Sequence, residues 1–199
     1  MDESVKFHID YLCEDLDGAK DSVLIYGDPE MSNSILNGVY KKLKTNNEYL
    51  CTWHDADNIN EPMDFFKPIL KEIYKKEYQK IINENWFKQG DFGIASLCIK
   101  ESLPKINKLP IIFIDGIEKL FFKIDFGHLD KLQLINLFSL GNQPLPNGFG
   151  DCLRGELHQT NSAIFYGIVS DSSGIEYLAT LGNYEYLFYQ DNFRQVNIS

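Results

Sequence analysis

The residues with the clearest chemical potential lie in one polar segment, residues 27–34, between an apolar run and a stretch with helical spacing. A phosphate-binding loop has glycine, four residues, glycine, lysine and then serine or threonine, because backbone amides must surround the phosphates while the lysine neutralises them. Gly27 and Ser34 fit this spacing, but Ser32 stands where the second glycine belongs and Asn33 where the lysine belongs. The segment therefore has the spacing of a phosphate-binding loop without its cation.

Two carboxylates, Asp28 and Glu30, stand inside the same segment. At an effective dielectric constant of about 20, two unit charges about 4 Å apart interact by about 4 kcal/mol. Replacing a cation by nearby anions should therefore weaken phosphate binding strongly. The sequence predicts a loop that repels a triphosphate.

A second polar group follows the next apolar run and contains His54, Asp55 and Asp57. A histidine and carboxylates at the mouth of a sheet suit zinc or manganese. The favoured interpretation is a strand end with solvated, turn-forming side chains. Ser34, Ser170 and Ser173 carry hydroxyl groups that could act as nucleophiles. Neither a GxSxG turn nor a histidine partner accompanies them, so structural roles are favoured.

Composition and charge exclude several classes of function. The 199 residues include 29 acidic side chains against 19 lysines and arginines, for a net charge of -10, which disfavours binding to nucleic acid or to an anionic membrane. The densest lysine cluster, at residues 71–80, alternates with glutamates and is typical of a solvated helix face. A chain of this length and composition predicts a single domain, residues 1–199.

The cysteines and the start of the chain indicate the compartment. The four cysteines are far apart, with no CxxC pair and no histidine at metal-ligand spacing, so neither a disulfide framework nor a zinc site is predicted. The first twenty residues are acidic and amphipathic, without the apolar run of a signal peptide or membrane span. We expect a cytoplasmic protein.

The elements that must position these residues alternate between strands and helices. Apolar runs predict five strands, at residues 23–26, 49–53, 109–115, 163–169 and 193–198. Helical spacing predicts helices at residues 3–17, 34–44, from about 63, 94–106 and 129–140, with shorter helical stretches at 117–122, 152–158 and 175–181. Residues 141–150 predict a loop, and residues 184–189 alternate too little to assign.

Strands separated by helices imply parallel pairing through right-handed crossovers. The predicted fold is therefore a three-layer α/β sandwich with a mainly parallel five-stranded sheet and helices on both faces. Sites in such sheets lie at the carboxyl ends of the strands. Here those ends are the polar residues 27–34, 54–57, 115–118 and 170–173.

The order of these elements resembles a P-loop NTPase of the AAA+ type, close to origin-recognition and STAND ATPases, across roughly residues 1–199. Residues 23–34 look like the Walker A strand and loop, residues 111–120 look like the Walker B strand, and residues 163–173 take the place of the sensor 1 strand. Residues 152–165 resemble the helix and turn that lead into that strand. Such ATPases usually continue into a helical lid or winged-helix domain, which this chain is expected to lack.

The resemblance implies roles for individual residues. Asp115 would hold magnesium through water together with Ser34, and the next position, which normally carries the acid that polarises the attacking water, is Gly116. Glu118 could substitute only if the turn folds back. Ser170 would be the sensor group.

The resemblance also raises the question of an arginine finger that reaches toward a neighbouring subunit. Arg154 and Arg194 are the candidates, and the sequence selects neither.

Two hypotheses about function follow. The first is a catalytically inactive AAA+-like domain, with degenerate Walker A and Walker B motifs and no cofactor, that acts as a protein-binding or assembly module in a homo- or hetero-oligomer. Aromatic side chains make up 14% of the chain and are concentrated at residues 65–66, 121–122 and 184–189; most should be core, and exposed ones would serve an interface.

The alternative is a divergent ATPase in a larger, nucleic-acid-handling assembly, with Glu118 and Ser170 as catalytic residues. ATP and Mg²⁺ would then be bound by Gly27, Asp28, Ser32, Asn33, Ser34 and Asp115.

Overall fold

A parallel sheet of five strands forms the centre of the protein. The computed structural model describes residues 2–16, 21–120, 163–168 and 193–198. The strands are β1 (Ser22–Gly27), β2 (Tyr49–Asp55), β3 (Leu109–Asp115), β4 (Ile164–Ile168) and β5 (Phe193–Ile198). They lie side by side in the order β2-β3-β4-β1-β5, and every neighbouring pair is parallel.

Helices connect the strands and cover both faces of the sheet. They are α1 (Glu3–Asp15), α2 (Pro29–Lys44), α3 (Pro62–Tyr74), α4 (Tyr78–Ile81), α5 (Asn85–Lys88) and α6 (Phe92–Ile106). Three 3₁₀ turns accompany them: η1 (Ala56–Asn58), η2 (Lys75–Glu77) and η3 (Ile117–Leu120). Within the described residues, no helix is long and apolar enough to cross a bilayer.

The core has two halves, one on each face of the sheet, because successive side chains of a strand point to opposite faces. On one face, sheet residues such as Ile25 and Phe113 pack with α1 and α2. On the other face, Leu24 and Ile112 pack with α3 and α6. The predicted three-layer α/β fold is therefore confirmed.

Two contacts fix α1 in its layer. A Cβ atom at Gly38 of α2 would lie 2.2 Å from the Cδ1 atom of Ile9, so the two helices approach closely here and a larger residue would have to displace the Ile9 side chain. The buried Tyr166 hydroxyl of β4 donates a hydrogen bond to the Leu12 carbonyl oxygen, at 3.1 Å. Because α1 is tied to both α2 and β4, it is an integral part of this side of the sandwich.

The strand predictions are confirmed, with shifts at some ends. β3 and β5 have the predicted bounds, and β2 continues two residues further, to Asp55. The predicted start at residue 34 is wrong for α2, which begins at Pro29, and α6 begins at Phe92 rather than at residue 94. The predictions for residues 129–140, 141–150, 152–158, 175–181 and 184–189 lie outside the described residues.

Candidate functional site

The carboxyl ends of the parallel strands meet at one edge of the sheet, which is where ligands bind in open α/β folds. Asp28 follows β1 at this edge, and Asp55 and Asp115 end β2 and β3. The register places Gly27 beside Ile198, so the end of β5 lies there as well. Ser170 and Ser173, which follow β4, lie outside the described residues, as does Arg154.

The segment after β1 folds as a capped helix end rather than as an open loop. Asp28 is the N-cap residue of α2, and its Oδ1 atom accepts a hydrogen bond from the Met31 amide at 2.8 Å. Pro29 follows at the first helical position, where its fixed φ angle favours a helix start and its missing amide costs nothing. Glu30 adds a negative charge to the first turn, which favours the positive end of the helix dipole.

This start corrects the sequence prediction for residues 27–34, and the sequence does contain its signal. An aspartate followed by proline is typical of an N-cap and first helical position. The spacing from Gly27 to Ser34 instead suggested a phosphate-binding loop over residues 27–34, followed by a helix that begins at residue 34. As a result Ser32, Asn33 and Ser34 lie on the first turns of α2 rather than in a loop.

The amides at this helix end are largely occupied by the protein itself. The Asp28 amide donates to the Ile198 carbonyl oxygen at 2.9 Å, and the Ser32 amide donates to the Asp28 carbonyl oxygen at 2.9 Å. The Met31 amide is held by the Asp28 side chain, and Pro29 has no amide hydrogen. Ser34 is exposed, whereas Ser32 is buried and its hydroxyl makes no hydrogen bond within the described part of the chain.

Gly27 has a role that the phosphate-loop pattern did not suggest. Its φ angle is +122°, and a Cβ atom there would lie 1.9 Å from the Ile198 carbonyl oxygen. Only glycine can adopt this backbone with β5 so close. Gly27 therefore allows the last strand to close the sheet against β1.

Asp115 ends β3 at the same edge and is half-buried. Burial raises the pKa of its carboxyl group, the negative charges of Asp55 and Asp57 raise it further, and the ammonium group of Lys119 opposes the increase. The register pairs Asp55 directly with Asp115. Three acidic side chains are thus gathered at the ends of two neighbouring strands.

The turn after Asp115 explains why glycine follows it. Gly116 has φ +71°, in the left-handed region that side-chain-bearing residues rarely adopt. Its carbonyl oxygen accepts a hydrogen bond from the Lys119 amide at 2.8 Å, so the chain folds back into η3. Glu118, the predicted substitute for the missing acid, is only 1% exposed.

The carboxylates of this edge already have partners. Asp57 Oδ2 lies 2.7 Å from Lys119 Nζ. Asp55 accepts hydrogen bonds from the Asp57 amide at 3.0 Å and from Asn58 Nδ2 at 2.6 Å, one at each oxygen. In the part of the chain that the structure describes, no group of three His, Cys, Asp or Glu side chains could hold a metal ion.

His54 belongs to the core, which corrects the prediction of a solvated side chain. It is 3% exposed, its ring stacks on Phe65 with centroids 4.6 Å apart, and its Nε2 atom lies 3.0 Å from Thr52 Oγ1. Burial lowers its pKa to about 3. The alternation of β2 could have revealed this position, because His54 shares a face with the buried Leu50 and Thr52.

Arg194, one of the two finger candidates, contacts α1. Its Nη1 atom donates to the Tyr11 hydroxyl at 3.0 Å, and its guanidinium group lies 5.2 Å from the centre of that ring. Lys119 and Tyr11 occupy no functional position of a sequence motif, and neither was predicted to take part in the site.

Comparisons with known proteins support the fold. No protein-family model and no curated protein sequence matches the chain. Among solved structures, the Aeropyrum pernix ORC2 protein in its ADPNP-ADP complexes gives a TM-score of 0.59 at 12% identity, covering 98% of this chain and 47% of that one. The ADP form of the same protein gives a TM-score of 0.53 at 11% identity, with the same coverage of 98% and 47%.

The Walker-type ATPase paby2304 of Pyrococcus abyssi gives a TM-score of 0.55 at 12% identity, covering 96% of this chain and 52% of that one. The chain thus spans about half the length of the structures it matches. The resemblance to AAA+ P-loop ATPases is confirmed at the level of the fold.

Proposed function

We propose that the chain is a P-loop domain of the AAA+ type that has lost ATP hydrolysis and acts as a protein-binding or assembly module in the cytoplasm. The observation that carries this proposal is the capped start of α2. Phosphate binding at a helix end requires amides that point at the ligand, whereas here the Asp28 side chain and the Ile198 carbonyl oxygen accept those hydrogen bonds.

The charges around the same helix end support the proposal. Asn33 replaces the expected lysine, and Asp28 and Glu30 are exposed beside it. Phosphoryl transfer depends on positioning and on the stabilisation of negative charge. A helix end with two carboxylates and no lysine supplies neither.

The end of β3 gives a second line of support. The position of the water-activating acid is Gly116, whose left-handed backbone disfavours any side chain. Beside Asp115, the expected magnesium residue, the carboxylates Asp55 and Asp57 are engaged within the protein, so they are not free to support a hydrated magnesium ion there. We therefore propose that the domain needs no nucleotide cofactor.

A role in protein binding is supported by exposed apolar side chains. Phe7 is 66% exposed on α1 and stacks on the exposed Tyr11, with ring centroids 6.3 Å apart. Ile94 and Leu97 are exposed on α6, on the other face of the sheet. Aromatic side chains commonly anchor interfaces. The predicted aromatic pair at residues 65–66 is instead part of the core, and residues 121–122 and 184–189 lie outside the described residues.

Thermal-shift and calorimetric measurements with Mg²⁺ and ATP test the loss of the nucleotide site. A ligand that binds only the native state raises stability with the logarithm of its concentration over its dissociation constant, and we expect no shift for the wild type at millimolar ATP. The double variant Asp28→Ser with Asn33→Lys should gain a shift, because serine can still start the helix while the summed charge of residues 28, 30 and 33 rises from -2 to 0. Asp28→Ser alone is the matched control and should gain none.

Micromolar binding of ATP by the wild type, abolished by Asp115→Ala, would contradict the proposal. The assembly role is tested separately by sedimentation velocity. If the α1 surface mediates self-association, Phe7→Lys should dissociate the oligomer, whereas Leu97→Lys on the opposite face should not.

A second candidate function is a divergent ATPase in a larger, nucleic-acid-handling assembly. It is favoured by the fold neighbour whose structures contain ADPNP and ADP. In this case the chain would hold a nucleotide near Gly27, Ser32 and Asn33, with Mg²⁺ at Ser34 and Asp115. Phosphate release that requires both Asp115 and Glu118 would establish it.

A further inference from the structure

Three aspartates lie at or just beyond the carboxyl ends of β2 and β3. Parallel pairing sets Asp55 beside Asp115, and Asp57 follows within η1. Like charges this close destabilise one another, and the effect grows as the site becomes less exposed to water. Asp115 is half-buried, so this edge requires a compensating positive charge.

Lys119 supplies that charge from the neighbouring turn. Its Nζ atom lies 2.7 Å from Asp57 Oδ2, and its side chain is only 31% exposed. The left-handed Gly116 turns the chain back, and the Lys119 amide bonds to the Gly116 carbonyl oxygen at 2.8 Å. The turn therefore directs the ammonium group towards the strand ends instead of into solvent.

We propose that Lys119 is a built-in counter-cation, which pairs with Asp57, offsets part of the negative charge at this edge and joins η3 to η1 across β2 and β3. Its positive charge offsets part of the negative charge of these acids, as a bound divalent cation would otherwise do. The inference rests on the proposed function only in assuming that no magnesium nucleotide occupies this edge. Its consequence is that the edge stays folded without divalent cations.

The arrangement of the oxygens agrees with this role. Both Asp55 oxygens are directed at donors of η1, and the Lys119 ammonium group bonds to an oxygen of Asp57. A single flexible ammonium group can serve several carboxylates in turn because it carries three donors. A divalent cation would need several oxygens converging on one point, which the described residues do not provide.

A charge-rescue experiment tests the proposal, with urea unfolding at pH 8 in the absence of nucleotide. Lys119→Met keeps the side-chain length and removes the charge, and should lower the folding equilibrium constant about two- to fivefold, the range for partly exposed ion pairs. Adding Asp115→Asn to Lys119→Met should recover most of that loss, because one uncompensated charge is then removed. Asp115→Asn in the wild-type background should bring a smaller gain, because Lys119 there already offsets part of the unfavourable charge of Asp115.

Lys67→Met is the matched control, because Lys67 also forms ion pairs within the protein, with Glu61 and Asp64 at the start of α3. Asp115→Asn should not rescue it. Magnesium chloride, compared with potassium chloride at equal ionic strength, should leave the wild-type midpoint unchanged.

Equal stability of Lys119→Met and its Asp115→Asn double variant, or a wild-type midpoint that rises with magnesium, would overturn the proposal. These readouts use no nucleotide. Binding of ATP in the thermal-shift or calorimetric measurements would therefore contradict the proposed function. The rescue experiment would still decide the role of Lys119.

Discussion

Replacement of His54 by glutamine should make the protein less sensitive to acid. The imidazole is enclosed by the core, stacks on Phe65 and has a pKa lowered by burial from 6.5 to about 3. Between these two values the unfolded chain binds a proton that the folded protein does not. The contribution of His54 is fully present above pH 6.5 and is lost as the pH falls towards about 3.

The magnitude follows from the size of the pKa shift. One pKa unit corresponds to about 1.4 kcal/mol. At pH 4.5, two units below the unfolded value of 6.5, the protonation of His54 should cost about 3 kcal/mol of the free energy of unfolding. That is a large share of the roughly 5–15 kcal/mol typical of a domain.

Urea unfolding followed by tryptophan fluorescence at pH 7 and pH 4.5 measures this loss. The wild type should lose about 3 kcal/mol more than His54→Gln between the two conditions. Asp115, whose pKa is raised by burial, contributes to the pH dependence with the opposite sign, and other carboxyl groups are also common to both proteins. Their effects cancel in the comparison because both proteins carry them.

His8→Gln, on the outer layer at α1, controls for the loss of a histidine that the core does not enclose. It should lose as much stability on acidification as the wild type. An equal loss in the wild type and in His54→Gln would refute the reasoning, because His54 would then be as easily protonated in the folded protein as in the unfolded chain.

Two substitutions at the glycines of the candidate site give further predictions. Gly27→Ala should lower the free energy of unfolding by about 3 kcal/mol, because backbone strain and overpacking each cost about 1–3 kcal/mol. The new Cβ atom would lie 1.9 Å from the Ile198 carbonyl oxygen. A loss below about 1 kcal/mol in urea unfolding would argue against the close approach of β5. Gly116→Glu should lower the free energy of unfolding by about 1–2 kcal/mol, because residue 116 has a left-handed backbone. The variant should not release phosphate from ATP. ATP hydrolysis by a variant that keeps its stability would contradict this description of the turn.

The sequence predicts the strands well because their signals are local. β3 has five consecutive buried residues between Leu109 and Asp115, and this run gives its bounds directly. The end of β2 is harder to predict, because its alternating burial pattern continues through His54, whose side chain is polar. The alternation places His54 on the buried face, and the contact with Phe65 of α3 shows what encloses its ring.

The candidate site is less predictable because its features depend on contacts between distant segments. The Asp28 and Pro29 pair is a local signal for the start of α2, and the phosphate-loop spacing obscured it. The contact between Lys119 and Asp57 joins residues 62 positions apart, and the contact between Gly27 and Ile198 spans nearly the whole chain. No local pattern contains these partners.

The position of β1 between β4 and β5 has a consequence for how the protein is made. β1 belongs to the first 27 residues, but both of its partners come from the last 36 residues of the chain. The pair formed by β2 and β3, with α3 and α6 on one face, comes from one continuous stretch and can form while the rest is still being synthesised.

β1 therefore keeps both of its hydrogen-bonding edges unpaired until residues 164–198 have been synthesised. Contacts that distant in sequence are slow to form, and unpaired strand edges favour aggregation. We expect the late synthesis of residues 193–198 to limit the folding rate. Until β5 pairs with β1, a newly made chain exposes unpaired strand edges through which it can misfold.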